Sequence, residues 1–384
     1  MKASRRNFLK WSGISSAVFA GLSSSPALAH LAEIDDSYRY YCDELIEITE
    51  PGKLIGPDGT ARCSWSRRPY LDLNFEDADF MFSRAGQRYR FKKWDMYHFA
   101  TPDLYVGLLV AWIGYGAFCS AHVYDRETKT NYEDLHLRLP WPEFPMMRNS
   151  DQGITEYQSR KVTAVFEVQG ERRKLRMDFP GFQGSGLQVE VDLHHPQEHE
   201  SICGTFLTHP RRMNYGHKIN CMPVSGEVVF KGRKYLARPD DSFGALDFGR
   251  GYYPPKLFWY WATASGLDPA GKLVGFNLGY GNTRANTQEN ALFYDGKLHK
   301  VGQVNCACDP FDLRNPWRVW TDDGKVDLSL IPENVRRGNL KIGPFYSISR
   351  PALGYYHGNL TLDSGRVIRL QDLFGLFEWV DQKW

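Results

Sequence analysis

Lys161-Val162-Thr163-Ala164-Val165-Phe166-Glu167-Val168 and Arg173-Lys174-Leu175-Arg176-Met177-Asp178-Phe179 flank Gly170-Glu171. Apolar and polar side chains alternate in both runs, so each run buries one face as a strand, and the glycine turn joins them as a hairpin. The pattern recurs along the chain. Gly226-Glu227-Val228-Val229-Phe230 turns through Lys231-Gly232 into Arg233-Lys234-Tyr235-Leu236. Ala291-Leu292-Phe293-Tyr294 turns at Asp295-Gly296 into Lys297–Val301, and Asn359–Leu362 turns at Asp363-Ser364-Gly365 into Arg366–Leu370. Helical periodicity is weak, with one short helix expected near Tyr38 to Thr49. Many short strands joined by regular turns predict an all-β protein of antiparallel sandwich or barrel architecture.

An internal repeat refines this. Asp79-Phe80, Trp94, Phe99-Ala100-Thr101, Gly114-Tyr115-Gly116 and Tyr124-Asp125 recur in order as Asp247-Phe248, Trp259, Trp261-Ala262-Thr263, Gly279-Tyr280-Gly281 and Tyr294-Asp295. The near-constant spacing predicts two copies of one β-unit, with domains over 30–210 and 211–384. Closing each sheet into a barrel would remove its edges and leave an interior able to hold one ligand.

Residues 1–29 read differently. Ser4-Arg5-Arg6-Asn7-Phe8-Leu9-Lys10 precedes an apolar run from about Trp11 to Leu22 and the small residues Ala27-Leu28-Ala29. This is the layout of a twin-arginine signal peptide, so the twin-arginine export machinery is an expected partner and the periplasm the expected location. The segment holds four basic residues and no acids, leaving 43 basic against 45 acidic residues. That balance gives no reason to expect nucleic acid as a partner. No later apolar run is long enough for a transmembrane segment in the mature chain.

The 23 Phe, 21 Tyr and 11 Trp suit either a packed β core or a pocket for a large apolar ligand. The odd, scattered set of seven cysteines argues against a disulfide framework, and they read mostly as small buried apolar residues.

Candidate chemistry centres on Gly244–Pro255, followed by Phe258-Trp259-Tyr260-Trp261. Asp247 stands in an apolar context with Arg250 three residues on. Aromatic surroundings raise a carboxyl's pKa and an arginine lowers it, so the pair is either an acid site or a braced turn. A second cluster, Asn277, Tyr280, Arg284, Thr287, Glu289 and Asn290, would orient a ligand if its strand faces a cavity. His217 is a further acid–base or substrate-contacting candidate. Asp192-Leu193-His194-His195-Pro196-Gln197-Glu198-His199 is the best metal candidate, yet Pro196 breaks it and no fixed-spacing ligand pattern is present, so no metal site is expected. No G-x-S-x-G, Walker A or dinucleotide-binding glycine pattern occurs in a fitting context.

Cys63-Ser64-Trp65-Ser66-Arg67-Arg68-Pro69, Lys92-Lys93-Trp94-Asp95, Lys218–Gly226, Leu246–Gly251 and Glu289-Asn290-Ala291-Leu292-Phe293 resemble the DUF2804 family over nearly the whole chain after the signal. That family is distantly similar to the tandem lipocalin-like proteins that include carotenoid 1,2-hydratase, the AttH group and tocopherol cyclase. The resemblance implies two tandem lipocalin-like barrels. It also implies an acid at Asp247 with Trp259 and Trp261 along a cation path, although Phe248-Gly249-Arg250 replaces the histidine-rich surroundings of the hydratases.

The expectation is therefore an exported, cofactor-free enzyme acting on an apolar isoprenoid, steroid or fatty lipid by acid-initiated hydration, cyclisation or isomerisation. Asp247, Arg250 and Glu289 are the expected catalytic groups. Trp259, Trp261, Asn277, Tyr280, Asn290 and His217 are the expected substrate contacts. The competing expectation is a non-catalytic periplasmic lipid carrier.

Overall fold

The computed structural model describes residues 45–383 apart from 80–83, 141, 210, 282–288, 310 and 344. The signal peptide, most of the segment expected to be helical near Tyr38, and Arg284 and Thr287 lie outside the described residues. The described part of that segment carries a strand instead, β1 (Ile46–Glu47), followed by β2 (Gly52–Lys53), β3 (Ser64–Ser66) and β4 (Leu71–Asp72).

The first large sheet is built from meanders. β5 (Phe91–Ala100), β6 (Leu104–Trp112), β7 (Ala117–Asp125) and β8 (Thr130–Arg138) form one. β9 (Gly153–Gln158), β10 (Thr163–Gln169), β11 (Arg172–Phe179) and β12 (Leu187–His194) form another. Next come β13 (Ile202–His209), β14 (Arg212–Phe230), β15 (Arg233–Ala237) and β16 (Phe243–Tyr252), and the order across the sheet is β8-β7-β6-β5-β16-β14-β12-β11-β10-β9.

The second large sheet repeats the plan. Its strands are β17 (Lys256–Leu267), β18 (Leu273–Gly281), β19 (Ala291–Tyr294), β20 (Lys297–Lys300), β21 (Val304–Ala307), β22 (Trp317–Thr321), β23 (Val326–Val335), β24 (Gly338–Ile342), β25 (Phe345–Ser349), β26 (Ala352–Thr361) and β27 (Val367–Lys383). The order is β20-β19-β18-β17-β27-β26-β23-β22-β21. The fold is all-β, with two large antiparallel sheets in tandem. Every hairpin read from the sequence is present, with turns at Gly170-Glu171, Lys231-Gly232, Asp295-Gly296 and Leu362–Arg366.

The repeat motifs at Trp94, Phe99 and Tyr124 fall on β5 and β7, and their counterparts fall on β17 and β19. Asp79 is different: it lies in a loop, whereas Asp247 lies on β16. Residue 210 falls between β13 and β14, both in the first sheet, and the chain changes sheet at 253–255.

Alternation decides what each sheet face does. On the inner face of the first sheet, Tyr97, Phe99, Val106, Leu108 and Val110 pack with Phe166, Leu175, Met177, Val189 and Val191 in one buried cluster. Burial of each such side chain contributes roughly 1.5–3 kcal/mol. The second sheet is likewise filled by aromatic pairs, with Phe276 and Tyr356 centroids 4.9 Å apart and Trp317 and Phe377 4.8 Å apart. The expected ligand space inside a barrel is thus occupied by side chains. The opposite faces of the two sheets meet through Tyr105, Tyr124, Trp261, Leu353, Phe374 and Leu376.

A bulge in β14 helps dock the sheets. The register against β16 shifts between Ile219 and Met222, and Cys221 takes φ 60° there. The extra residue re-aims Asn220. Its amide donates to Thr263 Oγ1 at 2.9 Å and the Phe276 carbonyl at 3.1 Å, both in the second sheet.

Two sequence readings are corrected here. Cys63 is disulfide-bonded rather than a free apolar residue, whereas Cys119, Cys203, Cys221, Cys306 and Cys308 are free. Arg250 does not pair with Asp247. Three residues along a strand reverses the face, so Arg250 points into the first sheet's core and pairs with Asp95 at 2.6 Å. Its guanidinium also donates to the carbonyls of Trp94 at 2.7 Å and Met147 at 2.8 Å. With 3% and 0% side-chain exposure, Arg250 and Asp95 form a closed pair. Replacing Arg250 by Met should destabilise the protein by about 3–5 kcal/mol, because Asp95 is left buried without a counter-charge. Denaturant titration checks this, and a loss below about 1 kcal/mol would contradict the structural role.

Candidate functional site

The space between the two sheets holds a cavity of about 450 Å³. Its walls follow from strand register. On the first sheet, Lys218 of β14 stands opposite Asp247 of β16, and Asp247 opposite Met96 of β5. One row along, Gly216 stands opposite Gly249 and Gly249 opposite Trp94. On the second sheet, Trp259 and Trp261 of β17 project from alternate positions, with Glu378 of β27 opposite Trp261. Lys218, Asp247, Met96, Gly216, Trp94, Trp259, Trp261 and Glu378 line the cavity, and Gly249 lies beneath the Trp94 ring.

The two glycines make the arrangement possible. A Cβ on Gly249 would lie 2.2 Å from the Trp94 ring, and one on Gly216 would lie 1.7 Å from Glu289 Oε1. Their bare backbones let the indole lie flat on β16 and let the Glu289 carboxyl reach β14 from the loop before β19.

Three charges converge at the end of the cavity. The Lys218 ammonium donates to Asp247 Oδ1 and lies 3.7 Å from Glu289 Oε2. Trp94 Nε1 donates to the same Asp247 oxygen at 3.0 Å. Lys218 also lies 5.3 Å from the Trp261 ring centroid, within cation–π range. Trp261 Nε1 donates to Asn277 Oδ1 at 2.7 Å, and Asn277 Nδ2 donates to the Glu289 carbonyl at 2.8 Å. Asn277 therefore ties the tryptophan wall to the backbone that presents Glu289.

Burial of Lys218 opposes its charge, but Asp247 and Glu289 outweigh that and hold its pKa above the ordinary 10.5. Burial pushes the Glu289 carboxyl up to about 7, with Lys218 restraining the rise and Asp247 adding to it. Two carboxylates share one ammonium, and Asp247 makes the closer contact and takes the indole donor. Glu289 is the group left to hold a proton near neutrality. Farther along the second sheet, burial also raises Glu378, while Arg336 and a hydrogen bond from Trp259 oppose the rise.

The residues expected from sequence separate by face. Asp247, Glu289, Trp259, Trp261 and Asn277 share the cavity. Tyr280 pairs through its backbone with Tyr260 on β17, and its side chain lies outside the described residues. Asn290 is buried behind the wall, where its Oδ1 accepts from the Gly279 N–H at 2.7 Å and braces the loop carrying Glu289. His217 is corrected: next to Lys218 on β14, it faces the core, with Nδ1 2.6 Å from Ser150 Oγ and Nε2 2.8 Å from Ser201 Oγ. Burial holds its pKa well below 6.5, so it is a neutral structural histidine. Around the metal candidate, His194 lies 3.8 Å from Glu171. Among the described residues no group of His, Cys, Asp and Glu has a metal-holding arrangement.

Lys218, Trp94, Gly216, Gly249 and Glu378 were not singled out as site residues from sequence. Alternation offered a signal for Lys218, since Asn214, Gly216 and Lys218 recur at period two on the face opposite Tyr215, His217 and Ile219.

The family model described as Domain of unknown function (DUF2804) matches residues 45–384, and the chain belongs to that family. No curated protein matches the chain by sequence. Among solved structures, the chain is similar to an AttH-like protein from Nitrosomonas europaea at 13% identity and TM-score 0.46, covering 76% of this chain and 92% of that one. It is also similar to kievitone hydratase from Nectria haematococca at 11% identity and TM-score 0.38, covering 76% of this chain and 88% of that one. Among the described residues, no helix is long and apolar enough to cross a membrane.

The Glu289 shift fixes a stability signature. The native carboxyl keeps its proton up to about pH 7, whereas an ordinary one loses it near 4.5. Between these values the native state binds more protons than the unfolded state, so this group lowers stability as pH rises from 4.5 to 7. The Glu289→Gln protein lacks that loss and should gain up to about 3 kcal/mol relative to wild type across the window. Urea titrations at both pH values check this, and a pH-independent difference would contradict it.

Proposed function

We propose that this DUF2804 protein is an exported acid–base enzyme whose substrate is an apolar or amphipathic lipid, with the reaction at a carbon–carbon double bond. The observation that carries the proposal is the Glu289 carboxyl, raised to about 7 beside the Lys218–Asp247 ion pair in a cavity walled by Trp94, Trp259 and Trp261. A carboxylic acid that keeps its proton near neutral pH is matched to proton donation.

In this reading Glu289, rather than Asp247, protonates one alkene carbon. The electron pair of the double bond forms the new C–H bond, and the neighbouring carbon becomes cationic. The faces of Trp259 and Trp261 and the Asp247 carboxylate stabilise that charge. In hydration, water adds to the cation and returns its extra proton to the Glu289 carboxylate. In isomerisation or cyclisation, loss of a neighbouring proton to the same carboxylate closes the balance. The steps require no cofactor. Lys218 pairs with Asp247 and keeps the Glu289 pKa from rising further.

Export rests on Arg5-Arg6 and the following apolar run, and the Cys63 disulfide suits an oxidising compartment. Changing both arginines to lysine should leave the protein in the cytoplasmic fraction of its own cells, and unchanged periplasmic recovery would contradict export.

The catalytic reading is tested by incubating purified protein with lipid extract from its own cells. Mass spectrometry then follows gain of one water, or a shifted retention time at constant mass. Glu289→Gln should lower the rate by about 10²–10⁴ while retaining ligand binding. Because the acid form is the active one, the wild-type rate should be flat at mildly acid pH and fall as pH rises through about 7. Unchanged turnover in Glu289→Gln would overturn the assignment. Binding with no turnover of any lipid would favour a carrier.

A further inference from the structure

We infer that the cavity takes an extended aliphatic chain, acyl or prenyl, laid across the strands of the first sheet and leaving over edge strand β8. This deepens the proposed function and rests on it for the location of the reacting end. The register draws the path. Lys218, Asp247, Met96, Leu109, Ser120 and Leu135 stand opposite one another in turn across β14, β16, β5, β6, β7 and β8. Beside this row runs a second one, Trp94, Ala111, Phe118 and Leu137. Cross-strand partners project from the same face, so both rows form one floor beneath the cavity. Six strands at about 4.8 Å spacing make that floor roughly 24 Å long, running from the charged end to the sheet edge.

The floor has an apolar end that is partly exposed to solvent. Leu135 and Leu137 keep 52% and 39% exposure, although they stand directly opposite the cavity-lining Ser120 and Phe118. On the second sheet, Ser347 of β25 lines the cavity, and its partner Leu340 and its alternate neighbour Phe345 are 50% and 38% exposed. Exposed leucines and a phenylalanine therefore extend cavity-lining rows on both sheets. The polar residues Glu133 and Arg336 pair at the flank of this path, leaving the leucine row apolar. A compact ring system would fill the enclosed part and leave these side chains in water. A flexible chain covers them.

The test uses straight-chain primary alcohols from octanol to octadecanol, with quenching of the cavity tryptophans as the signal. Affinity should rise roughly fourfold per added methylene until the chain passes the edge. Leu135→Asp/Leu137→Asp should leave octanol affinity within twofold of wild type and flatten the rise for the longer alcohols. Circular dichroism and the retained octanol binding report that the variant is folded. The same series on Glu289→Gln should keep the chain-length slope, which separates this inference from the acid assignment. A length-independent affinity, or an unchanged slope in the leucine variant, would overturn the inference even where Glu289 proves to be the acid.

Discussion

A β-strand offers two faces, and β5, β14 and β16 use both for different purposes. One face fills the first sheet with Tyr97, His217, Phe248 and the Arg250–Asp95 pair. The other presents Trp94, Lys218 and Asp247 to the cavity. The core therefore fixes the site directly. A one-residue slip in any of these strands would move the ion pair into the core and the core into the cavity. The Asn220 bulge then sets the second sheet against this face, bringing Trp259, Trp261 and Asn277 over the charges.

Alternation also explains how far the sequence could be read. The hairpins were legible because glycine-containing turns and period-two runs are local signals, and the tandem plan followed from motifs on β5, β7, β17 and β19. The chemistry was only half legible. Asp247 and Glu289 stood out as charges in aromatic company, yet their common partner Lys218 comes from another strand, brought there by pairing that no local spacing encodes. Reading Arg250 as a partner of Asp247 treated nearness along the chain as nearness in space, which fails for an odd separation in a strand. The ligand space was misplaced for a related reason: composition shows that aromatics are abundant but not that each sheet spends its own on filling itself.

Electrostatic logic ties the site together. A buried ammonium needs a counter-charge, and Lys218 has two carboxylates within reach. The geometry breaks the symmetry between them. Asp247 receives the close ion pair and the Trp94 donor, while Glu289 stays farther from the ammonium and burial raises its pKa. Small residues are part of this asymmetry, since Gly216 alone permits the approach of Glu289 and Gly249 alone permits the indole to reach Asp247.

The central claim is that Glu289 holds a proton near neutral pH because it is desolvated beside an already satisfied ion pair. Infrared difference spectroscopy between wild type and Glu289→Gln, recorded as a function of pH, tests it directly. The account predicts a protonated-carboxyl band in wild type at pH 6 that disappears with a midpoint near 7 and is absent from the variant. A midpoint near 4.5, or a band that survives the substitution, would contradict it.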